Sequence, residues 1–367
     1  MMPKRPFRHF KPFKLLSMFF SKPQSFVGLD IGASGIKLIE LRQTKRRPQL
    51  WTYGSLDEPT QISDCLLNDL NQAAKIKTLA ARLKTLAEKT KITNRSVVVS
   101  LPATKVFQTV ITLPPVDKKA LDTVVMAETK KLLPLPFEQM QVVFQPLSDL
   151  TVGEHSYKRV LVTAVAKNVV AAYTTLCAEA GLNVVQFESE TFSLARVFVG
   201  KETATTVIID IGETDTTVSF VDEGVPMVER SINTGGITIT QLISERLGIS
   251  KDDAGNLKSD VSRLDAKQLP ADFFAPLLNE LIQETEETMN IFAHQAGHAG
   301  KKPEKIVLTG GGAVWPLVGQ ALRERFACRV FVGDPWARVV YPDSLRPTLG
   351  ALGPRFAVAI GLALHNF

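Results

Sequence analysis

The stretch that decides the fold is Phe26–Leu41, which reads FVGLDIGASGIKLIEL. A second stretch, Thr206–Val221, reads TVIIDIGETDTTVSFV and aligns with the first at an offset of 180 residues. Each leads from β-branched residues into Asp-Ile-Gly, passes small or hydroxyl-bearing residues and returns to an apolar run, which predicts a β-hairpin. A single Asp-Ile-Gly is weak evidence, because hairpin turns favour Asp and Gly for conformational reasons. Two aligned copies indicate a duplicated domain rather than a solenoid, whose repeats recur about every 20–50 residues.

Each hairpin turn carries the residue types that a phosphate-binding loop needs. Glycines let the backbone approach a ligand, and the amides of such a turn form a nest for phosphate oxygens. Lys37 adds a positive charge for the β- and γ-phosphates. Asp30 and Asp210, one from each hairpin, are expected to face each other and to hold Mg²⁺ through water. The residues predicted to bind nucleotide at the two turns are Gly32, Ala33, Ser34, Gly35, Lys37, Gly212, Glu213, Thr214 and Thr216.

A third glycine cluster lies late in the chain, where Lys305–Val318 reads KIVLTGGGAVWPLV. This pattern predicts a buried strand, a three-glycine turn and a helix with Pro316 in its first turn. Glycines at such a junction let the backbone pass along an adenine or a ribose, and close helix packing alone would explain only one of them. The predicted contacts are Gly310, Gly311, Gly312 and Ala313.

In this order, the two hairpins and the late glycine cluster resemble the first phosphate, second phosphate and adenosine motifs of the actin-like ATPase superfamily. Glu190–Arg196 resembles the first helix that connects the two lobes of such proteins, and Phe356–Leu364 resembles the second. The resemblance covers residues 26–367. It implies an α/β, actin/Hsp70/RNase H-like duplicated two-lobe fold that binds ATP and Mg²⁺ between the lobes.

Within the superfamily, the chain is most similar to the PilM branch, the cytoplasmic actin-like proteins of type IV pilus assembly. The shared features are Lys37 and Glu40 in the first hairpin, Gly235 and Gly236 opening a helix after the second, and the stretch Thr109–Phe137. That stretch contains LPPV and LPLPF segments. It begins a small inserted α+β subdomain, which the FtsA/PilM branch carries as subdomain 1C in place of subdomain 1B of actin.

The resemblance also implies a division of the chain into consecutive parts. The expected parts are a basic and aromatic tail (1–25), a first lobe (26–198) with an inserted subdomain (104–182), a second lobe (199–353) and a C-terminal helix that returns to the first lobe (354–367). Within the insert, the pattern predicts strands at 106–113, 141–147 and 159–166 and helices at 117–132 and 168–180.

The role implied by the resemblance is mainly structural, in type IV pilus biogenesis and twitching motility. Such proteins bind ATP, and a groove between the first lobe and the insert binds the N-terminal cytoplasmic peptide of an inner-membrane PilN-type protein. The complex joins the inner-membrane platform to the pilus motor ATPases, so the chain is expected in the cytoplasm at the inner-membrane face. Two alternatives remain open: an FtsA-like polymerising, membrane-linked actin homologue, and a small-molecule kinase of the same superfamily.

Two positions bear on what the chain does with ATP. Glu190 occupies the place where related ATPases keep a residue that positions the attacking water, so it is the candidate catalytic residue of, at most, a slow ATPase. Related proteins have Ala-Glu-x-x-Lys in the helix that contacts ribose, whereas Ala254–Lys258 reads AGNLK here. Lys258 is kept, but Gly255 removes an acceptor for the ribose hydroxyls, at a cost of about 1–3 kcal/mol of binding.

Composition and charge narrow the remaining classes. The 367 residues, 45% hydrophobic and 22% charged, indicate a globular chain with more than one core. Three widely spaced cysteines favour a reducing compartment and argue against a zinc ribbon. The net charge of +6 comes from residues 1–22, which hold six Lys or Arg and no acid. A neutral body argues against nucleic acid, and the tail is expected either to contact the inner-membrane surface or to be a disordered extension.

Overall fold

The computed structural model describes residues 24–60, 72–116, 120–152, 155–259, 271–295, 298 and 300–367. The predicted membrane-contacting tail, residues 1–22, lies outside the described residues. Both predicted hairpins are present as antiparallel strand pairs. Gly32 faces Gly35 across the first turn, and Ile211 faces Thr216 across the second.

The first lobe is built on a five-stranded sheet. Its strands are β1 (Ser25–Gly32), β2 (Gly35–Arg42), β3 (Gln49–Leu56), β4 (Ser96–Leu101) and β9 (Asn183–Ser189). They lie in the order β3-β2-β1-β4-β9, with β1 to β3 antiparallel and β4 and β9 parallel to β1. Because β1 and β2 are buried on both faces, they are apolar almost throughout, as strands covered on two sides must be.

Helices cover both faces of this sheet. One face packs against α1 (Gln72–Lys89) and α3 (Lys167–Glu179), and the other packs against α9 (Arg346–Ala363). The contact with α9 is close, because a Cβ added at Gly28 would lie 2.1 Å from the carbonyl oxygen of Ala359. The last helix of the chain therefore completes the core of the first lobe.

The second lobe repeats the same sheet. Its strands are β10 (Thr206–Ile211), β11 (Thr216–Asp222), β12 (Val225–Ile232), β13 (Lys305–Thr309) and β14 (Arg329–Val332). Their order, β12-β11-β10-β13-β14, and their directions match the first sheet strand for strand. Its helices are α5 (Gly236–Leu247), α6 (Lys251–Ser259), α7 (Ala275–His294) and α8 (Pro316–Arg325). The predicted α/β duplicated two-lobe fold is confirmed.

The predicted insert forms a third sheet. Its elements are β5 (Val106–Leu113), α2 (Leu121–Leu132), β6 (Met140–Pro146), β7 (Leu150–Val152) and β8 (His155–Ala166). The strands lie in the order β5-β8-β6, and β7, which the sequence pattern does not predict, pairs with β8. Their bounds agree with the predicted strands to within a few residues. The helix predicted at 168–180 is α3, whose buried side chains join the core of the first lobe. The boundary of the insert at 104–182 stays a prediction.

Two helices connect the lobes. The first is α4 (Glu190–Phe198), and the second is α9, which begins at Arg346, ahead of the stretch from Phe356 that the sequence pattern indicates. They cross closely, since a Cβ added at Gly361 would lie 2.2 Å from the carbonyl oxygen of Ser193. A small core at this crossing takes residues from both sheets, including Val98 and Ile208. Within the described part of the chain, no helix has the length and apolarity needed to cross a membrane.

Candidate functional site

A cleft of about 350 Å³ opens between the two lobes. Its lining brings together most of the residues predicted from the sequence. They are Asp30, Gly32, Ala33, Ser34, Lys37, Glu190, Asp210, Gly212, Glu213, Gly236, Lys258, Gly310, Gly311 and Gly312. The other predicted residues, Gly35, Thr214, Thr216, Gly235 and Ala313, are not part of the lining.

The first hairpin turn places a lysine and an aspartate side by side. Lys37 and Asp30 are both buried, and Lys37 Nζ lies 3.8 Å from Asp30 Oδ2 and 3.3 Å from Ser34 Oγ. Ser100 Oγ donates to Asp30 Oδ1 at 2.9 Å, which fixes the carboxylate. Gly35 has a φ of +151°, and a Cβ there would lie 2.0 Å from the carbonyl oxygen of Leu56. The glycine therefore shapes the turn from outside the cleft.

The second hairpin turn is joined to the start of α5. Gly236 N donates to the carbonyl oxygen of Gly212 at 2.9 Å, and the turn itself closes through Gly212 N and Asp215 O at 2.9 Å. A Cβ added at Gly235 would lie 2.6 Å from the carbonyl oxygen of Glu213, so only glycine fits there. Thr216 Oγ1 donates to the carbonyl oxygen of Thr234 at 2.6 Å. Gly235 and Thr216 thus hold the turn and the helix together.

Burial and neighbouring carboxylates raise the pKa of two acids in the cleft, Asp210 and Glu190. Burial raises the pKa of Asp210 to about 7, with further contributions from Asp30 and Asp215, and Lys37 opposes the shift. Burial, Asp30 and Asp210 raise the pKa of Glu190 well above its usual value. Like charges gathered in a buried site favour a bound cation, and carboxylate oxygens with several waters are the ligands Mg²⁺ prefers. Among the described residues, no group of three or more His, Cys, Asp and Glu is arranged to bind a metal directly.

The late glycine cluster forms the opposite wall. Gly310 has a φ of +84°, and a Cβ there would lie 2.3 Å from Asp210 Oδ1. A Cβ added at Gly312 would lie 2.3 Å from the Ile211 side chain. Gly310 N donates to the carbonyl oxygen of Pro354 at 3.1 Å, which ties this turn to α9. The wall is therefore bare backbone, as an approach to a flat base or a ribose requires.

Lys258 lies on α6 and lines the cleft beside the start of α5. Its Nζ donates to the carbonyl oxygen of Gly236 at 2.8 Å, and burial lowers its pKa although Glu213 opposes this. Gly255 lies one turn earlier on the helix, and no atom lies within 4 Å of where its Cβ would be. The helix that the resemblance assigns to ribose thus reaches the cleft, with room for a side chain at Gly255.

Sequence reasoning missed a further group of cleft residues. These are Leu194, Asp215, Thr217, Ile239, Val314, Trp315, Pro354, Arg355 and Val358. Arg355 Nη2 lies 2.6 Å from Asp57 Oδ1, although the two residues are 298 positions apart in the chain. No local pattern could have paired them. Asp215 and Thr217, in contrast, follow the second Asp-Ile-Gly directly and could have been found there.

A second cavity, a groove of about 750 Å³, lies between the first lobe and the predicted insert. Two sheet edges border it: β9 is the last strand of the first sheet and β6 the last of the third. Val185 on β9 is 57% exposed and Val143 on β6 is 59% exposed. The turn between β11 and β12 adds Gly224 and Val225 of the second lobe. All three sheets therefore contribute to this groove.

One end of the groove is polar. Arg196 Nη1 donates to Glu188 Oε2 at 2.9 Å and to the carbonyl oxygen of Gly361 at 2.8 Å. His365 Nδ1 lies 3.6 Å from Glu188 Oε2. Bonds from His365 and Arg196 outweigh burial and lower the pKa of Glu188. Arg196 is on α4, the helix whose first residue, Glu190, lies in the cleft between the lobes.

Two duplicated sheets around a glycine-lined, carboxylate-bearing cleft define a protein of the actin-like ATPase fold. More particularly, the chain belongs to the family of the type IV pilus assembly protein PilM, whose model matches residues 28–367. The structure is similar to that of a PilM–PilN type IV pilus biogenesis complex. The TM-score is 0.76 with 27% sequence identity, over 92% of this chain and 97% of that one.

Weaker similarity extends to other proteins. The ethanolamine utilization protein EutJ from Carboxydothermus hydrogenoformans has a TM-score of 0.55 and 15% identity, over 94% of this chain and 90% of that chain. MreB 5 of Spiroplasma citri bound to AMPPNP has a TM-score of 0.49 and 14% identity, over 94% of this chain and 96% of that one. At such identities, the similarity to EutJ speaks for the fold alone.

Proposed function

We propose that the chain is an ATP-binding, actin-like scaffold of type IV pilus assembly. The observation that carries this proposal is the pair of Asp-Ile-Gly hairpins that meet in one cleft, with Lys37 beside Asp30 and with Asp210 next to the glycine turn at Gly310. Turn amides and Lys37 would bind the phosphates, and Asp30 and Asp210 would hold Mg²⁺ through water. Bound Mg²⁺ neutralises phosphate charge.

The remaining predicted residues take supporting roles in this proposal. Glu213, Gly236 and Lys258 would border the ribose, and the three glycines from Gly310 would border the adenine. Ala33 and Ser34 would contribute the first phosphate turn. Gly35, Thr214, Thr216, Gly235 and Ala313 would act on the backbone shape of the site rather than on the nucleotide.

Hydrolysis would be slow at most. Glu190 is the candidate that positions water, yet its pKa is raised well above the usual range by burial and by Asp30 and Asp210. One of its oxygens, Oε2, accepts from Ala103 N at 3.1 Å. This hydrogen bond occupies one of the two oxygens with which Glu190 could orient an attacking water. Such a site supports a nucleotide that marks a conformational state better than one that is turned over rapidly.

The proposed partner is the cytoplasmic N-terminal peptide of an inner-membrane PilN-type protein, and the proposed binding place is the groove. The similarity to a solved PilM–PilN complex supports this choice. The two bordering edges, β9 and β6, fit an extended chain, which can bind the open edge of a sheet through its main chain. Val143 and Val185 would supply apolar contacts. Pilus motor ATPases are a further proposed partner, and the tail, residues 1–22, would touch the inner membrane from the cytoplasm.

Titration calorimetry tests both halves of the proposal. Wild-type protein should bind Mg·ATP, and Lys37→Ala should bind it at least tenfold more weakly. A synthetic peptide with the N-terminal sequence of the PilN-type protein should bind wild type, whereas Val185→Glu should lose this binding. Val340→Glu is the matched control. Val340 is exposed too, at 43%, but it lies outside the groove. Absence of heat with both ligands would reject the proposal.

A further inference from the structure

The end of the first-lobe sheet opposite the nucleotide cleft carries a cluster of cations. Strand β1 begins there at Ser25 and ends at the phosphate turn, so the two ends of one strand face different surroundings. Loops at the Ser25 end present six basic residues, which we call the cationic face. They are Arg42, Lys45, Arg46, Arg47, Lys91 and Arg95.

Backbone contacts hold these loops around the point where the chain enters the lobe. Gln43 N donates to the carbonyl oxygen of Gln24 at 2.8 Å, and Asn94 Nδ2 donates to the carbonyl oxygen of Ser25 at 2.8 Å. Arg42 Nη2 lies 3.5 Å from Thr93 Oγ1. The loop that bears Lys91 and Arg95 therefore lies against the loop that bears Arg42. Residues 1–22, with six more cations and no acid, precede this same point.

Acidic residues do little to neutralise this face. Glu40 is fully buried beneath it and accepts a bond from Thr93 N at 2.7 Å. Exposed Glu88 and Glu179 flank the cluster. Lys91 has a φ of +53°, at the end of α1, where glycine is the usual residue. A lysine in the left-handed region carries a conformational cost that glycine would avoid, and in exchange it adds a positive charge to the cationic face.

Exposed aromatic rings accompany the cations. Trp51 is 49% exposed on β3, and the Arg42 guanidinium lies 3.1 Å from the centre of its ring. Phe367 is 44% exposed and packs edge to face on Phe26, the second residue of β1, at 5.0 Å. Tryptophan beside Lys and Arg is the composition typical of a membrane–water interface. Double-stranded nucleic acid would engage the cations but offer no apolar layer for these rings.

We propose that the cationic face binds the surface of an anionic lipid bilayer. Cations attract the headgroups, and Trp51 enters the interface. The cationic face lies at the opposite end of β1 from the cleft, and none of its six cations lines the groove, so lipid binding there does not require ATP or peptide binding.

The test is cosedimentation of the full chain with vesicles of phosphatidylcholine, with and without one-quarter phosphatidylglycerol. Each cation near such a surface is worth roughly fivefold in affinity. The triple variant K45Q/R46Q/R47Q should therefore bind the anionic vesicles at least tenfold more weakly than wild type. The control K251Q/K302Q/R329Q removes three exposed cations of the second lobe and should bind as wild type. Neither protein should bind vesicles of phosphatidylcholine alone.

Trp51 provides a second readout. The other two tryptophans, Trp315 and Trp336, are 2% and 1% exposed, so a blue shift of emission on anionic vesicles should come from Trp51 and vanish in Trp51→Phe. Equal binding of the loop triple variant and wild type would show that the tail alone attaches, and would overturn the proposal. So would an unshifted Trp51 emission, or preferential binding to a DNA duplex that displaces the vesicles at 150 mM salt.

Discussion

Arg355 and Asp57 form an ion pair across the mouth of the cleft, with 2.6 Å between Arg355 Nη2 and Asp57 Oδ1. Asp57 follows β3 and lies beside the first hairpin turn. A Cβ added at Gly35 would lie 3.2 Å from the Cα of Asp57. Arg355 follows Pro354, whose carbonyl oxygen holds Gly310. The pair therefore joins the first hairpin turn to the glycine wall of the cleft, beside the proposed position of the base.

Arg355→Ala should weaken ATP binding by about 3- to 30-fold, because a guanidinium over an aromatic ring is worth roughly 0.5–2 kcal/mol. Calorimetry with Mg·ATP measures this. Inorganic tripolyphosphate is the comparison ligand, since it lacks a base and should bind the variant and wild type alike. If both ligands lose affinity equally, Arg355 acts on the phosphates instead.

Asp210→Asn should change how stability depends on pH in the absence of nucleotide. Because the pKa of Asp210 is raised from 3.8 to about 7, the folded chain keeps a proton that the unfolded chain has lost. The free energy of unfolding then falls as pH rises from about 4 to 7, by at most about 4 kcal/mol from this group. Thermal melts should place the variant several degrees above wild type at pH 8, with the gap closing towards pH 5.

Asp210→Asn should also abolish Mg²⁺-dependent ATP binding, since the amide of asparagine cannot supply the negative charge of the carboxylate. Asp252→Asn, at an exposed position of the same lobe, is the control for both measurements. A melting curve of Asp210→Asn that tracks wild type at every pH would contradict the raised pKa.

Gly310→Ala should lower both stability and ATP affinity. The backbone there has a φ of +84°, and the added Cβ would meet Asp210 Oδ1 at 2.3 Å, so the Asp210 carboxylate, the proposed Mg²⁺ ligand, must move. A loss of about 2 kcal/mol or more in the free energy of unfolding is expected from denaturant titration. Gly350→Ala, on α9 with no atom within 4 Å of the new Cβ, should not destabilise the chain. If Gly310→Ala is as stable as wild type, the backbone of this turn can shift to accommodate the added Cβ.

Gly255→Glu should tighten ATP binding at least fivefold, by returning an acceptor for the ribose hydroxyls. The site has room, because no atom lies within 4 Å of the Cβ position. Gly255→Ala separates the effects: it should raise the free energy of unfolding by about 0.5–1 kcal/mol through helix propensity and leave ATP affinity unchanged. Equal ATP affinities of Gly255→Glu and Gly255→Ala would show that a side chain at this position does not contact the ribose.

Nucleotide and peptide should influence each other's affinity. Thr191, next to Glu190, donates a short hydrogen bond to Glu229 on β12, and Gly224 and Val225 at the start of that strand border the groove. Movement of the second lobe on nucleotide binding would therefore shift Gly224 and Val225 and change the shape of the groove. Peptide titrations with and without Mg·ATP should differ, and ATP titrations with and without peptide should differ by the same factor. Thr191→Val should bring that factor towards one. Thr85→Val is the control, because Thr85 is exposed on α1 and its hydroxyl bonds only within that helix, to the carbonyl oxygen of Ala81.

Much of the fold was predictable because its signals are local. The two hairpins and the glycine turn each lie within about sixteen consecutive residues, and Pro316 does begin a helix. Spacing also predicted most of the cleft, since Asp30 and Lys37 face each other within one hairpin. Their roles in binding nucleotide and Mg²⁺ stay predictions.

What the sequence could not show depends on distant partners. The ion pair of Asp57 with Arg355 and the stacking of Arg42 on Trp51 require the folded sheet. The groove is assembled from three sheets, and no segment of the chain has a pattern that marks it. Raised pKa values such as that of Glu229, about 7 through burial, also follow from packing alone.

The position of α9 has a consequence for how the protein is made. The helix that packs against Gly28, Ile39 and Leu41 begins at Arg346, after β14 of the second lobe. During synthesis from the N-terminus, one face of the first-lobe sheet therefore stays uncovered until the strands of the second lobe have been synthesised. The second lobe can fold earlier. The first lobe therefore depends for its core on a helix that is synthesised after both sheets, and loss of α9 should leave one face of its sheet exposed.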